Sequence, residues 1–228
     1  MRLGRLIVTL ASVVLFASGG SASAAIVYSI ESGVVSQSVN PLADAQTAAG
    51  YYDYPFEAAS GNPDFGPEDD TAFFWLYTDT GTGVLSLGMI FDKRNPAGTG
   101  DGGNMNLTTS GMPAGTFVSV EDDPPEVGVD LVNGTEGWGW NAFNTDGGMV
   151  SGLEGTTWII DIVFNSFAGL ENGFFFLTGP DPLNPTKIAL DIEAGSTLRI
   201  IASEVPEPGT LLLLSLGLLA LCTRSRAR

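Results

Sequence analysis

The central part of the sequence, residues 25–204, predicts an all-β fold, and specifically an antiparallel β-sandwich. Apolar and polar side chains alternate with a period of two, most clearly over residues 156–164. Turn signals separate such runs at intervals of roughly eight to twelve residues, and the chain contains 30 glycines. No segment between the two apolar ends of the chain shows a helical period over more than about ten residues. These observations together favour strands over helices throughout the central region.

The first part of this region predicts two strands, one short helix and a loop. Residues 25–39 contain two short apolar runs that suit strands. Residues 42–49 predict a helix, because the preceding Asn40 and Pro41 suit a helix cap and a first turn. Residues 51–70 are interrupted by proline and glycine and therefore predict a loop.

A β-hairpin is the strongest strand signal in the middle of the chain. Residues 73–77 are apolar on both faces, which predicts a central strand buried on both sides. Residues 84–91 alternate with a period of two, and a turn cluster connects the two runs. The glycine-rich residues 95–104 then predict a loop.

The second half predicts several turns and the remaining strands. Residues 121–126 hold four carboxylates and two prolines, which predicts a surface turn. Asn133-Gly134 predicts a two-residue hairpin turn, and Asp146-Gly147-Gly148 predicts another turn. The other predicted strands are residues 105–109, 116–120, 127–131, a return strand carrying Trp138 and Trp140, then 149–153, 156–164, 174–177, 186–190 and 196–202.

The N-terminal residues 1–24 have the pattern of a secretory signal peptide. Arg2 and Arg5 form a basic region, residues 6–17 are apolar, and Ala22-Ser23-Ala24 is a small-residue cleavage site. We therefore expect export by the Sec machinery and removal of this segment. It takes no part in the predicted sandwich.

The C-terminal residues 205–228 combine three features in a fixed order. Val205-Pro206-Glu207-Pro208 is extended, because proline fixes φ and removes a backbone donor. Leu211–Cys222 is an apolar run of twelve residues, short of the roughly 20 that span a membrane comfortably. We expect a single transmembrane helix here, with local thinning or snorkelling. The membrane-orienting cations at the end are Arg224, Arg226 and Arg228.

This tail resembles the PEP-CTERM sorting tail of Gram-negative bacteria that make extracellular polysaccharide. The resemblance covers about the last tenth of the chain. It implies recognition and removal of the tail by an exosortase, a membrane-embedded cysteine protease. It also implies transient residence in the inner membrane and a later location in the cell envelope, at the surface or in the extracellular matrix. A plain C-terminal anchor is the alternative, although it leaves the Pro-Glu-Pro element unexplained.

The central region is strongly acidic. It carries 25 acidic residues against four basic ones, Lys93, Arg94, Lys187 and Arg199. Such a surface repels nucleic acid and anionic polymers, so we expect no nucleic-acid partner. It suits solubility outside the cell and could attract divalent cations.

Cysteine and histidine usage excludes several chemistries. The single cysteine, Cys222, lies in the tail, so the central region has no disulfide. The chain has no histidine, which removes Ser-His-Asp and Cys-His catalysis, histidine zinc sites and haem ligation through histidine. No cofactor is expected except, as one hypothesis, Ca²⁺.

Three groups of oxygen ligands could hold Ca²⁺, although solvated loop charge is the simpler interpretation of each. None of them matches the twelve-residue EF-hand loop. The three groups are Asp64, Glu68, Asp69 and Asp70; Asp101, Asn104 and Asn106; and Glu121, Asp122, Asp123 and Glu126. The group at Asp101 is the best candidate, because it falls in the glycine-rich loop.

Two further chemistries remain open at this stage. Trp138 and Trp140 share one strand face and could stack on sugar rings, although core packing is the simpler role for large aromatics. Paired carboxylates could hydrolyse glycosides, but so acidic a sequence contains pairs by chance.

The function favoured by the sequence is therefore a non-catalytic, exported structural or matrix protein. The alternatives are a carbohydrate-binding module acting on exopolysaccharide and a secreted glycosidase-like enzyme. Exposed tryptophans would favour the first alternative, and a pocket with two facing carboxylates would favour the second.

Overall fold

The computed structural model describes residues 24–53, 61–93, 102–122, 131–142 and 144–205. Residues 26–205 form one compact unit. The predicted signal peptide up to residue 23 and the tail after Val205 lie outside the described residues. In the described part of the chain, no helix is long and apolar enough to cross a membrane.

The described residues form an all-β structure of two sheets with one short helix. The strands are β1 (Ala25–Ser32), β2 (Val35–Val39), β3 (Leu42–Asp44), β4 (Thr71–Asp79), β5 (Leu85–Phe91), β6 (Gly103–Ser110), β7 (Phe117–Glu121), β8 (Thr135–Trp140), β9 (Asp146–Ser151), β10 (Trp158–Ala168), β11 (Gly173–Thr178), β12 (Thr186–Leu190) and β13 (Thr197–Val205). The helix is α1 (Ala48–Tyr52). The six-stranded sheet has the order β2-β1-β13-β10-β6-β8, and the seven-stranded sheet has the order β12-β11-β4-β5-β9-β7, with β3 also paired to β4. The predicted sandwich is confirmed.

The seven-stranded sheet is not purely antiparallel, which corrects the prediction. β4 pairs parallel with β11 along residues 71–75 and parallel with β3 along residues 77–79. β11 and β3 therefore share one edge of β4, one after the other. On its other edge β4 pairs antiparallel with β5, as the hairpin pattern predicted.

The main core lies between the two sheets. Along β10, the predicted inward face of Trp158, Ile160, Ile162 and Phe164 is buried. Phe74 of β4 meets Phe164 edge to face, with ring centroids 5.5 Å apart. Because side chains alternate along each strand, one sheet face supplies this core and the other faces outward.

A second core covers the outer face of the seven-stranded sheet. Every residue in 73–77 is fully buried, as predicted for a strand enclosed on both sides. The cover is α1 together with the segment around Phe65, whose ring lies 5.3 Å from that of Trp75. Tyr51 of α1 stacks on Tyr77 with centroids 4.4 Å apart. This aromatic layer gives the domain extra buried apolar area without a disulfide.

The predicted helix over residues 42–49 is wrong in position. Residues 42–44 form β3 because they complete the free edge of β4. The helix starts later, where the Thr47 hydroxyl accepts a hydrogen bond from the Gly50 N–H at 3.1 Å. It ends at Asp53, which adopts a left-handed conformation at φ 47°. Tertiary pairing of a strand edge therefore outweighed the local Asn-Pro helix signal.

Two predicted loops are partly strand. Residues 146–148 begin β9 and pair with β5, although Asp-Gly-Gly favours a turn. Residues 103–104 belong to β6 rather than to the glycine-rich loop, and residues 94–101 lie outside the described part. Asn133 has φ 59°, in agreement with the predicted turn at Asn133-Gly134.

Candidate functional site

The tryptophan pair proposed for sugar stacking lies in the main core. Trp138 and Trp140 are 4% and 5% exposed, and their rings pack on Phe91 at centroid distances of 5.1 Å and 5.8 Å. Their strand face points inward, while Gly137 and Gly139 point outward. The prediction that these tryptophans bind carbohydrate at the surface is therefore wrong for this fold.

Of the best calcium candidate, the structure describes only Asn104 and Asn106. Both lie on the outward face of β6, two residues apart, and not in a loop. Asp101 lies outside the described residues. No group of three or more acidic or cysteine side chains within the described ranges could hold a metal ion. The calcium hypothesis for Asp101 itself stays a prediction.

Asp122 is fully buried, so the predicted surface turn at residues 121–126 is wrong at this position. Its Oδ2 accepts hydrogen bonds from the Tyr52 hydroxyl at 3.1 Å and from the Gly61 N–H at 2.8 Å. The Thr145 hydroxyl donates to the same oxygen at 3.3 Å. This carboxylate therefore ties α1 and the covering segment to the edge of the seven-stranded sheet.

The acidic group at residues 64–70 is dispersed rather than convergent. Glu68 forms an ion pair with Lys187, and the backbone carbonyls of Asp69 and Asp70 accept hydrogen bonds from Asn172. The Asp70 N–H donates to Asp92 Oδ1 at 2.9 Å. Asp92 is buried, and burial raises the pKa of its carboxyl, against the opposing effect of two backbone hydrogen bonds. These contacts join the residues before β4 to those after β5 and before β11.

A polar depression of about 390 Å³ holds two carboxylates, Glu31 and Asp161. Asp161 makes a bidentate ion pair with Arg199, at 2.7 Å to Nε and 3.0 Å to Nη2. Both oxygens of Asp161 are thus occupied by one guanidinium. Asp161 is therefore engaged in an ion pair on the surface of the six-stranded sheet.

The depression opens onto a larger surface, which we call the open face. It consists of the outward side chains of β13, β10, β6 and β8, which are exposed or half-buried. Strand register arranges them in rows across the sheet. The rows are Arg199–Asp161–Ser110, Thr197–Val163–Thr108–Thr135, Ser166–Asn106–Gly137 and Ala168–Asn104–Gly139.

The open face is rich in hydrogen-bonding groups, and its rows at Gly137 and Gly139 carry no charged side chain. Asp161 and Arg199 pair with each other, and Glu31 of β1 lies in the same depression beside them. A β-bulge in β10 inserts Asn165, whose amide nitrogen donates to Asn106 Oδ1 at 2.8 Å and to Thr108 Oγ1 at 3.0 Å. Within the described structure, no hydrogen bond uses Asn106 Nδ2 or Asn165 Oδ1, so both can face solvent or a ligand.

Sequence reasoning missed the open face, although one signal was present. In β6, Asn104, Asn106, Thr108 and Ser110 alternate with Met105, Leu107 and Thr109. That alternation marks a polar outward face on a strand. The assignment of Asn104 to a loop concealed it, and the bulge at Asn165 could not be seen from the sequence.

The C-terminal end of the sandwich leads directly into the tail. β13 ends at Val205, which is 45% exposed. Residues 204–227 match the family model of the PEP-CTERM protein-sorting motif. No curated protein and no solved structure matches the chain.

The chain thus combines an all-β sandwich with a PEP-CTERM sorting motif at its C-terminal tail. The match confirms the resemblance drawn from Pro206, Glu207 and Pro208. The motif implies an exosortase as the processing partner, together with export and membrane-associated sorting to the cell envelope. The match covers the tail alone.

Proposed function

We propose that this chain is a non-catalytic structural protein of the cell surface or extracellular matrix, delivered there through its sorting tail. One observation carries the proposal: the sorting motif begins at residue 204, within the last two residues of β13. The compact unit therefore ends where the sorting signal starts. In this arrangement, tail removal after Val205 would release the sandwich without cutting into its core.

The buried polar groups of the sandwich support a structural role. Asp122 accepts a hydrogen bond from the Gly61 N–H, and Asp146 accepts one from the Gly139 N–H. Both carboxylates therefore hold neighbouring elements together. The Arg199–Asp161 pair, which lies on the open face, is internally satisfied. Each of these groups has a role in holding the fold, which favours a non-catalytic function over the glycosidase alternative.

We further propose the route of the protein in the cell. The Sec machinery would export it, the apolar segment Leu211–Cys222 would hold it in the inner membrane, and an exosortase would remove the tail. The acidic sandwich would then remain in the envelope or the exopolysaccharide matrix of a Gram-negative host.

Intact mass spectrometry of the mature protein tests this proposal. We expect a mass that lacks Leu211–Arg228, and Glu207→Ala should accumulate the uncut form. Replacement of the three terminal arginines by alanine is the matched control, because it should impair orientation and leave the Pro-Glu-Pro element intact. A mature protein that retains Arg228 would contradict processing.

A further inference from the structure

We infer that the open face binds a neutral, polyhydroxylated polysaccharide chain. This inference deepens the matrix role proposed above and rests on it. It places the ligand on the surface of β6, β8, β10 and β13 and not at the buried tryptophans. Four features of the described residues carry it: glycines, hydrogen-bonding groups, charge and exposed aliphatic side chains.

Gly137 and Gly139 are the first feature. Both lie inside β8, where glycine weakens a strand, and neither has the positive φ that would require glycine. A Cβ on Gly139 would meet no atom closer than 3.9 Å, and one on Gly137 would lie 3.3 Å from Asn106 Nδ2. The contact with Asn106 therefore restricts a side chain at residue 137, whereas internal packing does not explain Gly139. Glycine inside a strand often marks a close approach of a ligand or another backbone.

The hydrogen-bonding groups beside these glycines match sugar hydroxyls. Asn104 and Asn106 lie directly opposite Gly139 and Gly137, respectively, so no neighbouring side chain on β8 covers their amides. Asn165 fixes the orientation of Asn106 by donating to its Oδ1, which leaves the Asn106 Nδ2 group as a donor. Amides offer both donors and acceptors, as a polyhydroxylated ligand requires.

Charge selects the kind of polysaccharide. The domain as a whole is strongly acidic and repels anionic polymers. The rows of the open face that contain Gly137 and Gly139 have no charged side chain, so they offer a cationic polymer no ionic partner. An electrically neutral chain is the polymer that suits both facts.

Aliphatic side chains at one end of the face complete the match. Ile159 is 49% exposed and lies opposite Ile201 on β13. Such side chains can contact the C–H surfaces of sugar rings. Trp, Tyr and Phe, which anchor protein contacts and also stack on sugar rings, are absent from the outward rows of these four strands. Hydrogen bonds from the amides and hydroxyls therefore have to supply most of the binding.

Affinity electrophoresis of the purified full-length chain in detergent tests the inference. The gels would contain a neutral β-glucan, a neutral galactomannan or anionic alginate. We expect retardation by at least one neutral polysaccharide and none by alginate. Retardation by neither neutral polymer, or by alginate as well, would overturn the inference.

The variants Gly137→Thr and Gly139→Thr give the sharper test. A β-branched side chain suits a strand, so the melting temperature of Gly139→Thr should stay equal or rise, whereas Gly137→Thr must displace Asn106, whose Nδ2 would lie 3.3 Å from the new Cβ. Binding should weaken roughly fivefold or more in both variants through lost hydrogen bonds. Ala189→Thr, at an exposed position on β12 of the other sheet, is the matched control and should leave binding unchanged. Equal binding by all three variants would refute the site.

Two further measurements separate the alternatives. If the glycine variants dissociate an oligomer in sedimentation velocity without affecting glycan binding, the open face is a contact between copies and the inference fails. Export and tail removal are followed in the same cells. Normal processing with no glycan binding would remove this inference and leave the proposed matrix role standing.

Discussion

The outer faces of the two sheets differ in what they bury. The outer face of the seven-stranded sheet carries Phe73, Trp75 and Tyr77, and α1 and the segment around Phe65 cover it. The outer face of the six-stranded sheet carries small polar residues and is exposed across β6 and β8. The covered face adds to stability, whereas the open face keeps its hydrogen-bonding groups available. The two sheets of one small domain therefore differ in how their outer faces are covered.

The largest effect is expected on the covered face. Trp75→Ala removes a fully buried indole and should lower the free energy of unfolding by about 3–5 kcal/mol. Ile159→Ala on the open face should cost about 1 kcal/mol or less, because that side chain is half exposed. Urea denaturation of both variants measures the difference. Similar losses would show that the covered face is not a second core.

A smaller loss is expected from Gly88→Ala. A Cβ at residue 88 would overlap the indole of Trp75, which lies over β5. We expect overpacking to cost about 1–3 kcal/mol. The cost should shrink in the double variant with Trp75→Leu, since the smaller side chain makes room. An equal cost in both backgrounds, measured in the same urea titration, would disprove this steric explanation.

The next largest loss of stability is expected when the hydrogen bond between α1 and Asp122 is removed. Tyr52→Phe removes the hydroxyl that donates to Asp122 and should cost about 1–2 kcal/mol. Tyr28→Phe is the control, because the described structure shows no hydrogen bond from the Tyr28 hydroxyl. Thermal melts compare the two. Equal melting temperatures for the two variants would show that the hydrogen bond from Tyr52 to Asp122 does not stabilise the fold.

The two ends of the β4–β5 hairpin should respond oppositely to pH. Burial raises the pKa of Asp92, so its folded form holds a proton more tightly, and stability falls as pH rises through the raised value. A hydrogen bond from the Thr82 hydroxyl, helped by backbone N–H groups, lowers the pKa of Asp79. Its contribution is present above the ordinary value near 3.8 and is lost as pH falls through the lowered one.

Asparagine substitutions measure this contrast. Asp92→Asn should raise the melting temperature at pH 7 and lose that advantage near pH 3, whereas Asp79→Asn should lower it at pH 7. Melting curves between pH 3 and pH 7 follow both variants. If the melting temperatures of the two variants changed with pH in the same way, the opposite pKa shifts assigned to Asp92 and Asp79 would be contradicted.

Much of the fold followed from local patterns in the sequence. The period-two alternation over residues 156–164 predicted the inward face of β10, because each strand residue points to one of two sides. The apolar run at residues 73–77 predicted a strand enclosed on both faces. The sorting tail was recognisable from Pro206, Glu207 and Pro208, because its signal is a short linear motif and needs no fold.

The candidate site depended on contacts that no local pattern encodes. Whether Trp138 and Trp140 faced the core or the solvent was fixed by the pairing of β8 with β6 and by the sheet behind it. Likewise, residues 42–44 became a strand only because β4 had an edge to complete. The rows of the open face exist because distant strands align in register. Strand content and the sorting motif are local properties, so they could be predicted from the residue pattern alone. Which faces are buried depends on what packs against each strand, so this followed only from the tertiary structure.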